Sequence, residues 1–272
     1  MIKKIFVFFI AFSFSNHLFS YKIDTVEIYS KSMNKMIKNI VIVPTNNSFN
    51  KKLPVVYLLH GASGNYLSWL SKTPGLGKYS DFKKILIVCP DGGYNSWYFD
   101  SPIDSNYRYE TYISQELVNY IDDNYNTRAN KLNRAISGLS MGGHGALYLA
   151  FRNSEIFGSA GSISGGLDIR PFYKNWNITE RLGDIDKYPQ NWENNTVTNY
   201  ADSLHKIELN LIIDCGKDDF FINVNNEFHK KLVDRNIDHY YEVKEGKHNW
   251  NYFRKSVYSH LNFFHKFFNF AR

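Results

Sequence analysis

The chain has 272 residues, 43% hydrophobic and 17% aromatic, with 32 basic against 26 acidic side chains and a formal net charge of +6. A chain this long and this apolar can bury a large core, so disorder is not expected. It holds no run of five or six like charges, so the positive excess reads as a solvated surface and no nucleic-acid partner is expected.

Residues 1–20 begin with Lys3 and Lys4, continue through an apolar stretch from Ile5 to Phe14, and end at the small residue Ser20. This three-part pattern predicts a secretory signal peptide and an exported, secreted or periplasmic protein. The stretch is too short to span a membrane, and no later segment offers the roughly 18 uninterrupted apolar residues a span needs, so no stable membrane anchor is expected. The remainder, 21–272, reads as one domain.

In chain order, 23–29 alternates as an edge strand and 36–43 forms a second strand. Segments 55–59 and 85–89 are short continuous apolar runs, as in strands buried on both faces. Helical spacing follows over 111–125, a strand over 134–139, a helix over 142–152 and a small-residue strand over 159–164. The last elements are a strand over 209–215, a helix over 223–234, a strand over 239–243 and a helix over 252–268. Strands alternating with helices predict an α/β fold, a mostly parallel sheet with helices on both faces and its site at the carboxyl ends of the strands. Residues 165–203 break the alternation and read as a lid-like insertion over that edge. Cys89 and Cys215 fall on strands that are not neighbours. A disulfide needs Cα atoms within about 7 Å, so two buried free thiols are expected. No Cys/His cluster has zinc spacing, and neither a metal nor a cofactor is expected.

The strongest local signal is Gly138-Leu139-Ser140-Met141-Gly142. The GxSxG pattern follows a strand and opens a helix, the context of a nucleophile elbow in which the serine hydroxyl projects above the sheet. A serine hydroxyl is a weak nucleophile until a base takes its proton. In this arrangement an acid and a histidine follow the serine in chain order. The loop Gly216-Lys217-Asp218-Asp219 supplies the acid, with spacing favouring Asp219 over Asp218. The loop Glu245-Gly246-Lys247-His248 supplies the base. His60-Gly61-Ala62-Ser63-Gly64 follows the 55–59 strand. Acyl transfer needs N–H donors for an oxyanion, and position names Ala62 and Met141. The other histidines fall on helices or strands away from this edge, or, for His60, within the oxyanion motif.

With these residues in view, the chain resembles the esterase D-like branch of the α/β-hydrolases, which includes feruloyl esterases, acetyl xylan esterases, S-formylglutathione hydrolases and mycolyltransferases. The matching pieces are LLHGASGN (58–65), PDGGYNSWY (90–98), YETYISQELVNYID (109–122), SGLSMGGHGAL (137–147), DCGKDDFF (214–221) and EGKHNW (245–250), in family order over nearly all of 21–272. The stretch 168–183 is most similar to the secreted carbohydrate esterases. The resemblance implies a triad of Ser140, Asp219 and His248, oxyanion donors at Ala62 and Met141, and structural carboxylates at Glu110 and Glu116. It implies a serine carboxylic-ester hydrolase acting without a cofactor on a small-molecule or glycan ester. The alternatives are an acyltransferase using the same residues, or a catalytically silent glycan- or lipid-binding protein. The five tryptophans, Trp69, Trp97, Trp176, Trp192 and Trp250, are all expected near the carboxyl edge. Trp97 and Trp176 are the expected substrate contacts, by ring stacking.

Overall fold

The computed structural model describes residues 21–45, 51–204 and 208–270; the signal-like residues 1–20 and His205 lie outside them. Eight strands form one sheet: β1 (Tyr21–Ser30), β2 (Lys35–Pro44), β3 (Val55–Leu59), β4 (Leu86–Pro90), β5 (Arg134–Leu139), β6 (Ser159–Ile163), β7 (Asn210–Gly216) and β8 (Tyr240–Lys244). Their spatial order is β1-β2-β4-β3-β5-β6-β7-β8. β1 and β2 form an antiparallel pair, β2 meets β4 antiparallel, and every pair from β4 to β8 is parallel. The central strands β3, β4, β5 and β6 are buried at every position, which is why their sequences are unbroken rather than alternating. β1, at the edge, is exposed at most positions and alternates.

Successive side chains of a strand point to opposite faces, and each face here has its own core. Val55, Tyr57 and Leu59 enter one cluster, and Val56 and Leu58 the other. Two helices connect β3 to β4: α1 (Ser68–Lys72) and α2 (Leu76–Lys83). Neither helix shows in the sequence pattern, because helices of five and eight residues are too short to repeat an apolar stripe. The helix expected over 111–125 begins two residues earlier. It runs as α3 (Tyr109–Thr111), a wider i→i+5 turn over Tyr112–Leu117, and α4 (Val118–Asn124). α4 covers the first face together with α5 (Met141–Arg152) and, later in the chain, α8 (Ile222–Asp234). α9 (Trp250–Phe270) covers the second face with α1 and α2, through Phe253, Val257, Leu261, Phe264 and Phe268. That spacing of three and four residues is one helical stripe.

The insertion over 165–203 forms two short helices, α6 (Ile178–Leu182) and α7 (Pro189–Asn194), and two 3₁₀ segments, Arg170–Phe172 and Val197–Asp202. Leu167, Ile169, Ile178, Leu182, Trp192 and Val197 are fully buried and tie it to the first core. Cys89 and Cys215 are free and buried on β4 and β7. The sheet order sets these strands four spacings of about 4.8 Å apart, well beyond disulfide reach. The ends of β3, β5, β7 and β8 bring the loops beginning at His60, Ser140, Lys217 and Glu245 to one edge.

Candidate active site

β5 passes into α5 through Ser140, whose backbone adopts φ 57 and ψ −118, an uncommon conformation for a residue with a side chain. Close approach explains the glycines on either side. A Cβ on Gly138 would lie 2.4 Å from the Gly142 carbonyl oxygen, and one on Gly142 would lie 2.5 Å from that of Leu59. The turn is held by Ser140 N–H donating to Ile163 O at 2.9 Å and by Gly143 N–H donating to Ser140 O at 2.9 Å. Ser140 therefore stands at the N-terminus of a 12-residue helix, where the aligned peptide dipoles favour negative charge.

The loops after β7 and β8 bring two partners to it. Ser140 Oγ lies 2.9 Å from His248 Nε2. His248 Nδ1 lies 2.8 Å and 3.0 Å from the two Asp219 carboxylate oxygens. A carboxylate only accepts, so Nδ1 carries the ring proton and Nε2 is left to accept from the Ser140 hydroxyl. The Asp219 side chain is fully buried, and its Oδ1 also accepts Phe221 N–H at 2.9 Å. Asp218 is exposed and contributes its backbone N–H to Gly246 O at 2.9 Å instead.

Ala62 lines the cleft beside Ser140, and Met141 is the first residue of α5. The loop bearing Ala62 is clamped from below. His60 is 1% exposed, accepts Gly92 N–H at Nε2 (2.8 Å) and lies 2.8 Å from Gly61 O through Nδ1. The cleft has a volume of about 830 Å³, walled by Trp176 and Phe220 on one part and Leu67, Trp250 and Phe253 on another. Trp176 stacks on Phe220 at 5.8 Å and 20°, and Phe220 sits 4.2 Å from the His248 ring.

Trp97 stands differently from the expectation. It is 1% exposed and lies behind Trp176, its ring 6.2 Å away and its Nε1 donating to Trp176 O at 3.2 Å. It backs the wall rather than lining the cleft, with its ring packed edge-on against His144 at 5.5 Å. Trp250 and Phe220, by contrast, were not singled out as contacts and do line the cleft. Both lie within motifs that carried the resemblance, but a single sequence does not say which way a loop aromatic faces. Trp192 is buried in the insertion, with Nε1 donating to Gly183 O at 3.0 Å, and Trp69 is buried with Nε1 donating to Leu59 O at 3.0 Å.

Two other carboxylates and two other histidines make side-chain contacts away from Ser140. Glu110 accepts from Tyr148, Arg152 and Asn153, and Glu116 accepts Ser32 N–H at 2.8 Å. His144 is fully buried, and burial pushes its pKa down to about 3. His260 joins Ser137 (2.8 Å) and Asp214 (3.5 Å) in a second Ser–His–Asp set. All three are at most 1% exposed, so no substrate reaches them. Another cavity of about 840 Å³, lined by Glu110, Tyr148, Arg152, Asn195 and Tyr200, lies at the far end of α5 and holds none of the three residues joined at Ser140. Among the described residues, no group of three or more His, Cys, Asp or Glu is placed to hold a metal ion.

The model of the Esterase family matches residues 30–264. The chain belongs to the Esterase family. The acetyl esterase of Caldicellulosiruptor saccharolyticus is 26% identical over 253 residues, covering 85% of this chain and 94% of that one. The S-formylglutathione hydrolase of Bos taurus is 25% identical over 271 residues, covering 90% and 92%. A solved ferulic acid esterase is 28% identical with a TM-score of 0.77, covering 92% of this chain and all of that one. This esterase is a carboxylic ester hydrolase, and its sheet and flanking helices are those of the α/β-hydrolase fold. Among the described residues no helix is long and apolar enough to cross a membrane.

Proposed function

We propose that the esterase works through an acyl-enzyme on Ser140, with His248 as general base and acid and Asp219 orienting the ring. One observation carries this reading: the unbroken chain of contacts from Ser140 Oγ through both His248 nitrogens to Asp219. As Oγ attacks the ester carbonyl, Nε2 takes the hydroxyl proton. The new oxyanion is met by the N–H groups of Ala62 and Met141, and the buried Asp219 carboxylate stabilises the imidazolium. His248 then protonates the departing alcohol, leaving acyl-Ser140. Water repeats the sequence, giving up a proton to Nε2, and the free acid and Ser140 are restored.

The substrates we propose are acyl esters of carbohydrates or small alcohols. The aromatic walls Trp176, Phe220 and Trp250 support this reading, since flat rings suit a sugar face or an aryl acyl group. The likeness to an acetyl esterase and a ferulic acid esterase supports it too. Residues 1–20 support export. The test is hydrolysis of p-nitrophenyl acetate by the purified protein and by Ser140→Ala. The variant is expected to lose at least about a thousandfold in kcat; equal rates would remove Ser140 from the chemistry. Feruloyl and acetylated xylan oligosaccharides then rank the substrates.

A further inference from the structure

Three segments meet beneath the cleft: the Ala62 loop, the stretch 92–98 after β4, and the insertion at Trp176 and Asn177. We propose that Asn95 is a positioning residue that locks the Trp176 wall to the oxyanion loop, so that the geometry of one sets the geometry of the other. The proposal rests on the reading of Ala62 N–H as an oxyanion donor.

Asn95 is 3% exposed, and its amide is used from both sides. Oδ1 accepts Ser63 N–H at 3.0 Å. Nδ2 donates to Asn177 Oδ1 at 2.7 Å. The Ser63 N–H belongs to the peptide immediately following Ala62, so holding it fixes the plane of that peptide and the course of the loop through Ala62. The same stretch grips the loop again at Gly92–His60 and the insertion again at Trp97–Trp176. Asn95 is the residue whose single side chain touches both.

Backbone strain is concentrated in the same three segments. Ser63, Asn95, Trp97, Tyr98, Trp176 and Asn177 all have φ between 47 and 63. Asparagine tolerates that region, but Trp and Tyr do so only where their surroundings over-determine it. A loop held in unfavourable conformations relaxes when a cross-tie is removed. Replacing Asn95 by alanine would remove both part-buried hydrogen bonds of this tie, leaving the Ser63 N–H and the Asn177 side-chain oxygen without this partner.

The experiment is steady-state hydrolysis of p-nitrophenyl acetate by wild type, Asn95→Ala, Asn177→Ala and the double variant, with Ser140→Ala as reference and a thermal melt of each. Misplacing a reacting group by about 1 Å costs about a hundredfold, which bounds the effect. Asn95→Ala is expected to lower kcat by about ten- to hundredfold and Asn177→Ala by about three- to tenfold, both with KM within twofold. The double variant is expected to be no slower than Asn95→Ala, because both changes break one tie. Asn177 is partly exposed, so its variant decides the matter if Asn95→Ala does not fold. If both single variants keep kcat within twofold of wild type while Ser140→Ala is inactive, the proposal is overturned and the triad reading stands. If Ser140→Ala keeps its activity, the triad reading falls and the proposal falls with it.

Discussion

Gly142→Ala pits helix propensity against space. Alanine is favoured over glycine in a helix by about 1 kcal/mol, so on propensity alone the substitution stabilises α5. The added Cβ, however, would lie 2.5 Å from Leu59 O and 2.6 Å from His60 O, and real Cβ atoms essentially never approach heavy atoms within 3.0 Å. Those oxygens are backbone, at the end of the fully buried β3, and do not swing aside. The first turn of α5 must therefore withdraw by about half an ångström or more. Overpacking of this kind costs about 1–3 kcal/mol, which cancels or exceeds the propensity gain. At about 2–4 °C per kcal/mol, the variant is expected to melt up to about 8 °C below wild type. Activity suffers more than stability, since the withdrawal separates Ser140 and Met141 from Ala62. A fall in kcat of about ten- to hundredfold toward p-nitrophenyl acetate is expected. Wild-type kcat together with an unchanged or raised melting temperature would refute the close-approach explanation of this glycine.

Three further outcomes follow from other parts of the molecule. Burial holds His144 down to about 3 against 6.5 for a free histidine. The unfolded chain therefore binds the extra proton between those values, and stability falls as pH drops through that window, by about 1.4 kcal/mol per pH unit from this group. Melts of His144→Gln between pH 6.5 and 4.5 should fall less steeply than those of wild type; parallel curves would count against it. Burial raises the pKa of both Cys89 and Cys215, so an aromatic disulfide reagent should titrate neither thiol in the native protein and both after denaturation. Stacking on Trp176 is worth about 0.5–1.5 kcal/mol, so Trp176→Ala should lower kcat/KM for p-nitrophenyl ferulate by about two- to tenfold more than for the acetate. Equal losses on the two esters would take Trp176 out of acyl recognition.

What was legible in the sequence is what local chemistry dictates. The buried strands showed as unbroken apolar runs, and GxSxG was readable because a strand precedes it and a helix follows. Chain order then pointed to Asp219 and His248, which the structure brings to Ser140. What was not legible depends on contacts far along the chain or on direction. Trp97 and Trp176 are both aromatics of the same edge, yet one is fully buried and the other walls the cleft. Both have a left-handed φ, so what separates them is the packing around each ring, His144 against Trp97 and Phe220 against Trp176, which no local pattern shows. Asn95 meets partners 32 and 82 residues away, a pairing that no periodicity reveals. The buried set Ser137, His260 and Asp214 has the residue types of a triad without access to substrate, so residue type alone does not identify the working serine.

The central claim is that His248 activates Ser140. Reaction of the purified protein with a fluorophosphonate, followed by intact mass and peptide mapping of wild type and His248→Ala, tests it most directly. The account predicts a single adduct, located on Ser140, and labelling slower by at least about a thousandfold in the variant. An adduct on another residue, or labelling of Ser140 at the same rate without His248, would contradict it.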